Sequence, residues 1–294
     1  MLTLFGVILL ILLLLLGLEY LRRHHGSVEV PDKRVALPTT PPFSAYSTPS
    51  YERYTAVIPP PETSPLPGRR TPAGGGEVAI IVDDMGSSLP QLQSLMEIGH
   101  PLTFSIIPVL PHARDVAREA ARRGYEVMIH LPMEPEGYPA RRIEQDALLL
   151  SLSDDELRAR VDRLAAAVPE AVGANNHMGS RFTASREKMD VVLRELKKRG
   201  LFFVDSVTTP KSVGYDTARR LEMRSARRQV FIDNDHDDAS LRRQLERLAD
   251  AARRHGSAIG ICHPHPATIR VLSVVMPEMA REGIQFVFVS RLIP

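Results

Sequence analysis

The sequence predicts an α/β fold, a parallel sheet closed or nearly closed into a (β/α) barrel of seven or eight units. An open, doubly wound sheet is the alternative. Two observations predict it. From residue 77 to the C-terminus, short apolar runs alternate with amphipathic stretches, and strand followed by helix, repeated, builds a parallel sheet. The number of runs is also too large for a small sandwich in about 220 residues. A third observation concerns what precedes this region, where an aliphatic run and a proline-rich stretch predict a membrane helix and a tether.

Residues 2–18 are almost purely Leu, Ile and Val, close to the shortest helix able to cross a hydrocarbon core of roughly 30 Å. No small-residue cleavage pattern follows, only Glu19-Tyr20-Leu21-Arg22-Arg23. We therefore expect residues 1–21 to form an uncleaved transmembrane anchor. Residues 27–76 hold eleven prolines and end in Gly74-Gly75-Gly76, so 22–76 reads as an extended linker. A proline-rich ligand for a partner domain is the weaker reading of the same stretch. The basic residues Arg22, Arg23, Lys33 and Arg34 all follow the apolar run, which by the positive-inside rule favours the cytoplasm for the rest of the chain.

The third region, 77–294, predicts buried strands at 78–82, 102–107, 126–129, 201–204, 229–232, 258–261 and 285–289, with a weaker one at 172–176. Helix signals lie between them. Ser153-Asp154-Asp155-Glu156 is a capping box ahead of Leu157, and Arg-Arg-Gly and Lys-Arg-Gly sequences ending at Gly124 and Gly200 mark helix C-termini.

Composition removes several function classes. The 37 Lys and Arg nearly cancel the 35 Asp and Glu, so the strongly basic footprint of a nucleic-acid binder is missing. Cys262 is the single cysteine, which excludes an intramolecular disulfide and a thiolate-rich zinc site. Any metal must use His and carboxylate ligands.

In a barrel or an open α/β sheet the functional edge lies where strands end. The strand-end residues here are Asp83 and Asp84, His130 with Glu134, His177, Asp205, Asp233 and Asp235, and His263 with His265. Carboxylates and imidazoles dominate and cations are few, as a metal-assisted site requires. Each residue also has a plainer reading. Asp83-Asp84 can start a turn and cap the next helix, and both side chains reach one mouth only if the strand ends between them. His130 after an apolar strand can be a hydrogen-bonded core residue. Residues 175–181, Asn-Asn-His-Met-Gly-Ser-Arg, show no period and read as a loop. Each proline of Cys262-His263-Pro264-His265-Pro266 stiffens the residue before it, holding both imidazoles on nearby faces. Asp237 or Asp238 is expected to cap the helix around 241–252.

The motifs Ile81-Val82-Asp83-Asp84-Met85-Gly86, His130-Leu131-Pro132-Met133-Glu134, Asn175-Asn176-His177-Met178-Gly179-Ser180, Phe203-Val204-Asp205-Ser206 and Gly260 to Pro266 occur in this order. Together they resemble the divergent polysaccharide deacetylase family, relatives of the carbohydrate esterase family 4 deacetylases. The resemblance implies a distorted (β/α) barrel, Asp83 as catalytic base, Asp84 as metal ligand, two ligand histidines, and His263 as the acid that protonates the leaving group. The better known deacetylases draw both histidines from one H-x-x-x-H motif, whereas here Glu134 stands four residues after His130. His177, with Glu134 as the alternative, is then expected to complete the set Asp84, His130 and His177. Asn176, Arg181, Asp205, Asp233, His265 and Glu134 are expected around these ligands or against substrate, Asp205 as the group that orients an imidazole.

The implied reaction is removal of N-acetyl groups from an envelope polysaccharide, with Zn²⁺ as the simplest metal and Fe²⁺, Co²⁺ or Mn²⁺ also suited to Asp-His-His. The expected partners are a polysaccharide or amino-sugar substrate and a membrane, through the N-terminal helix, with the catalytic domain on the periplasmic face. Two other classes remain open: a non-catalytic metal- or glycan-binding scaffold, and a metal-independent glycosidase working with two carboxyl groups.

Overall fold

The computed structural model describes residues 75–294. The anchor expected over 1–21 and nearly all of the linker expected over 22–76 lie outside the described residues. Among the described residues, no helix is long and apolar enough to cross a membrane.

The strands are β1 (Glu77–Met85), β2 (Thr103–Ile106), β3 (Glu126–Met133), β4 (Gly173–Met178), β5 (Phe202–Asp205), β6 (Ser225–Arg227), β7 (Val230–Phe231), β8 (Ser257–Cys262) and β9 (Gln285–Phe286). The helices are α1 (Leu89–Met96), α2 (Ala113–Arg122), α3 (Asp154–Ala167), α4 (Arg186–Lys198), α5 (Gly214–Arg220), α6 (Asp238–His255) and α7 (Pro266–Arg281). All strand pairings among them are parallel, in the order β6-β5-β4-β3-β2-β1-β8-β7, with β9 added to the start of β1.

That order is cyclic, with one seam between β6 and β7. Only Arg228 and Gln229 separate these two strands; the Arg228 N–H donates to Asp205 O at 3.0 Å, and the Gln229 N–H to Ile259 O at 2.9 Å. One extended segment thus leaves β5 and joins β8, and the sheet is a partial barrel. The parallel α/β sheet expected from the sequence is present as a half-barrel, and the barrel of seven or eight units is incomplete because no helix follows β6.

Packing distinguishes this architecture from a doubly wound sheet, which carries helices on both faces. Successive strand residues face opposite sides, so Val78, Ile80 and Val82 join the large core beneath the helices while Ala79 and Ile81 face inward. The inner cluster adds Met128, Val204, Ile259 and Ile261 and is filled by Val287, Val289 and Ile293 from the C-terminal segment. Among the described residues it contains no α-helical one. The segment expected as a strand over 285–289 pairs only at Gln285–Phe286 and then turns into a 3₁₀ helix, Val289–Leu292, which plugs that face.

Two further expectations change. The weaker strand expected at 172–176 is β4, a central strand between β3 and β5, and it runs on through His177 and Met178, which were expected in a loop. β6 reads Ser-Ala-Arg and has no apolar run to betray it. The helix signals hold: Ser153 and Glu156 form the reciprocal capping box of α3, and the Asp237 side chain accepts from Ser240 N–H at the start of α6.

Candidate metal centre

β1 does not end between Asp83 and Asp84. It continues to Met85, but its register with β2 shifts between Val82 and Met85 and Asp84 takes φ +55°. A bulge of this kind breaks the alternation of a strand, so both carboxylates turn to the same side. His130 Nε2 lies 3.5 Å from Asp83 Oδ2 and 3.3 Å from Asp84 Oδ1.

His130 is placed by β3 opposite Asn175 of β4. Asn175 Oδ1 pairs with His130 Nδ1 at 2.7 Å and accepts from Ser105 Oγ at 2.6 Å, while its Nδ2 donates to Asp83 Oδ1 at 2.8 Å. An amide oxygen only accepts, so His130 carries its proton on Nδ1. Nε2 is the ring nitrogen left facing the two aspartates. Two residues on, His177 points the same way, with Nδ1 2.9 Å from Asp84 Oδ1 and Nε2 3.3 Å from Glu144 Oε2. Burial lowers the His177 pKa, yet the flanking Asp84 and Glu144 carboxylates outweigh it and push the value up to about 10. Burial works against the charge on Asp84 too, but His177, His130 and His263 hold its carboxyl well below the usual range. Asp83, buried and facing Asn175, is pushed upward by that burial.

Across the mouth, the end of β8 places His263 with Nε2 4.0 Å from Asp84 Oδ2. Its Nδ1 lies 3.0 Å from Asp233 Oδ1, and Asp233 Oδ2 accepts from the His263 N–H at 2.7 Å and from Thr268 Oγ1 at 3.0 Å. Burial opposes the imidazolium, but Asp233 prevails and raises the His263 pKa to about 9. His265 is the N-cap residue of α7, its ring 4.5 Å from that of His236 and its buried Nε2 without a hydrogen-bond partner among the described residues.

The remaining candidates sit elsewhere or act on the backbone. Glu134 points away from the aspartates: Oε1 accepts from Arg181 at 2.7 Å and Oε2 from Leu150 N–H at 2.7 Å. Its expected place as an alternative ligand is corrected, because both oxygens hold the loop after β3, and half-exposed Arg181 is its ion-pair partner. Asp205 was expected to orient an imidazole. Its oxygens instead accept from Val207 N–H, Ser212 Oγ and Tyr215 N–H and shape the loop after β5. Asn176 supports the same loop by accepting from Ser206 N–H, and it lines the cleft.

Sequence reasoning passed over Asn175, Ser105, Glu144 and Arg228. Asn175 had a signal, a polar residue two before His177 with strand spacing. Glu144 sits in a loop without periodicity and had none. Arg228 lies at the seam, donating to Ser206 O at 2.7 Å and Val207 O at 2.9 Å, where burial lowers its pKa to about 10. Asp83, His130, His177, Arg228 and His263 all line one solvent-open cleft, with Phe231 on its wall.

Donor atoms of Asp84, His130 and His177 lie within 4.8 Å of one another. One carboxylate and two imidazoles in that compass form a donor set for a divalent first-row cation. Among known proteins, an uncharacterized protein of Escherichia coli is 37% identical over 202 residues, 69% of this chain and 63% of the relative, so the match spans under two thirds of that protein. An uncharacterized protein of Haemophilus influenzae is 37% identical over 216 residues, 74% of this chain and 76% of the relative. The crystal structure of an uncharacterized protein from Agrobacterium tumefaciens superposes with a TM-score of 0.70 at 29% identity, over 78% of this chain and 92% of that one. The sequence profile of the divergent polysaccharide deacetylases matches residues 80–293, and the chain belongs to that family.

Proposed function

We propose that the domain is a metal-dependent hydrolase that removes N-acetyl groups from an envelope polysaccharide. The observation that carries this reading is the convergence of Asp84, His130 and His177 between Asp83 on one side and the Asp233-held His263 on the other. The donors fit a divalent cation, Zn²⁺ first, because Asn175 takes the Nδ1 side of His130 and turns Nε2 toward the site. Such a cation supplies Lewis acidity, acidifying water and polarising a carbonyl.

The chain's own groups do the rest. Asp83, held through Asn175, takes the proton of the attacking water as it adds to the amide carbonyl. Burial raises the Asp83 pKa toward the range where a carboxylate serves as a base. His263 gives the proton from Nε2 to the departing amine nitrogen, while Asp233 holds Nδ1 and stabilises the imidazolium beforehand. Phe231 and Arg228 wall the cleft in which the sugar is placed.

The test is metal content and turnover of purified full-length variants. His177→Ala is expected to lose most of a near-stoichiometric metal. Asp83→Asn and His263→Ala are expected to keep it and lose deacetylation of acetylated amino-sugar oligomers by roughly 10²-fold or more, as for a lost general base or acid. Metal retained in His177→Ala overturns the ligand set, and metal lost from Asp83→Asn overturns the division of labour.

A second reading, a scaffold that binds glycan without cleaving it, is favoured by Glu134 standing where the better known deacetylases place a histidine, tied to Arg181. Bound metal without turnover supports it. Cleavage of the glycosidic bonds of those oligomers that survives chelation would instead point to the glycosidase reading. We also propose that residues 1–21 anchor the protein in the cytoplasmic membrane and that 22–76 tether the domain on its periplasmic face.

A further inference from the structure

The loop between β3 and α3 is fastened at both ends. The Glu134 N–H donates to Leu148 O at 2.9 Å and the Leu148 N–H to Pro132 O at 2.7 Å, which ties the loop's return to the end of β3. The Glu134 carboxylate adds Leu150 and Arg181. Between these fastenings the loop delivers Glu144 to the back of His177. Glu144 Oε2 and His177 Nε2 are 3.3 Å apart, both atoms are buried, and among the described residues neither has a hydrogen-bond partner, each being the ion-pair contact of the other. On the other side of the ring, Nδ1 faces Asp84 at 2.9 Å.

A neutral imidazole has one donor and one acceptor nitrogen, and a ligand histidine is fixed by the acceptor that takes its remaining N–H. For His130 that acceptor is Asn175. For His177 the geometry points to Glu144. We infer that Glu144 is the positioning residue of the metal centre, directing the Nδ1 lone pair of His177 at the cation through the line Glu144–His177–Asp84. This rests on the reading of His177 as a ligand. A carboxylate partner orients the ring and makes it a stronger donor, and removing such a partner typically weakens metal binding about 10–100-fold.

The test uses the full chain, stripped of metal and titrated with Zn²⁺ against a chromophoric chelator, with the visible spectrum of the Co²⁺ form as a second readout. Glu144→Gln, which keeps shape and removes charge, is expected to bind Zn²⁺ about 10–100-fold more weakly and to shift the Co²⁺ bands. Glu144→Asp, with the carboxylate drawn back by one methylene, is expected between the two and serves if the Gln variant does not fold. Equal melting temperatures of the metal-free proteins separate positioning from a structural role. Wild-type affinity and spectrum in both variants, with metal lost in His177→Ala, overturns the inference and leaves the ligand set standing. Metal retained in His177→Ala overturns the ligand set and the inference with it.

Discussion

The pair Asp233–His263 shows how residue-scale contacts set a protonation state. Asp233 accepts from the His263 backbone and from Thr268 and still reaches Nδ1, so its charge is held where the imidazole titrates. The folded pKa of His263, about 9, lies above its ordinary 6.5. A group raised in this way contributes stability that is fully present below about 6.5 and is lost as pH rises through about 9. The metal-free protein is therefore expected to lose urea resistance between pH 7 and 9.5, and Asp233→Asn to flatten that decline. An identical slope in the variant would show that Asp233 is not the source. The same elevation keeps His263 protonated near neutrality, the state from which an acid must start.

At the scale of elements, β4 brings Asn175 and His177 to the cleft because its neighbours accept it closely. Gly173 opens the strand against the Phe202 ring of β5, and a Cβ there would fall inside the ring's van der Waals envelope. Phe202 is 2% exposed and packs in the inner cluster, so the ring has little room to withdraw. Gly173→Ala is expected to cost about 1–3 kcal/mol by overpacking, read as a lower denaturation midpoint at unchanged slope. Unchanged stability would mean that β5 shifts freely, and with it the loop that Asp205 shapes. β1 solves a different problem. A regular strand sends neighbouring side chains to opposite faces; only the bulge at Asp84 lets adjacent aspartates share one cleft.

For the whole molecule, the question is which compartment holds the cleft. Large domains translocate largely regardless of charge, and a proline-rich stretch of some fifty residues, which at roughly 3 Å per residue would reach far if extended, suits a polymer fixed beyond the membrane. Both considerations outweigh the basic residues after the apolar run in our proposal. Alkaline phosphatase fused after Gly76 is expected to be active, since it folds only where disulfides form. A stable, full-length but inactive fusion places the domain in the cytoplasm and removes envelope glycan from its substrates.

What the sequence determined by itself was carried by period and by chemistry. The alternation of apolar runs and capped helices specified a parallel α/β sheet, because hydrophobic burial follows the strand and helix repeats directly. Carboxylates and imidazoles at the ends of those runs marked Asp83, Asp84, His130, His177 and His263 as candidates, and all five converge. Tertiary structure decided what no local pattern encodes. The seam at β6 and β7 follows from which neighbours the backbone of Arg228 and Gln229 reaches. Glu134 and Asp205 hold loops because their oxygens meet N–H and hydroxyl donors across turns. Asn175 and Glu144 stand behind the two imidazoles through contacts 45 and 33 residues apart along the chain. A partner for a ring nitrogen is chosen by position in space, and position in space is set only when the whole sheet curls.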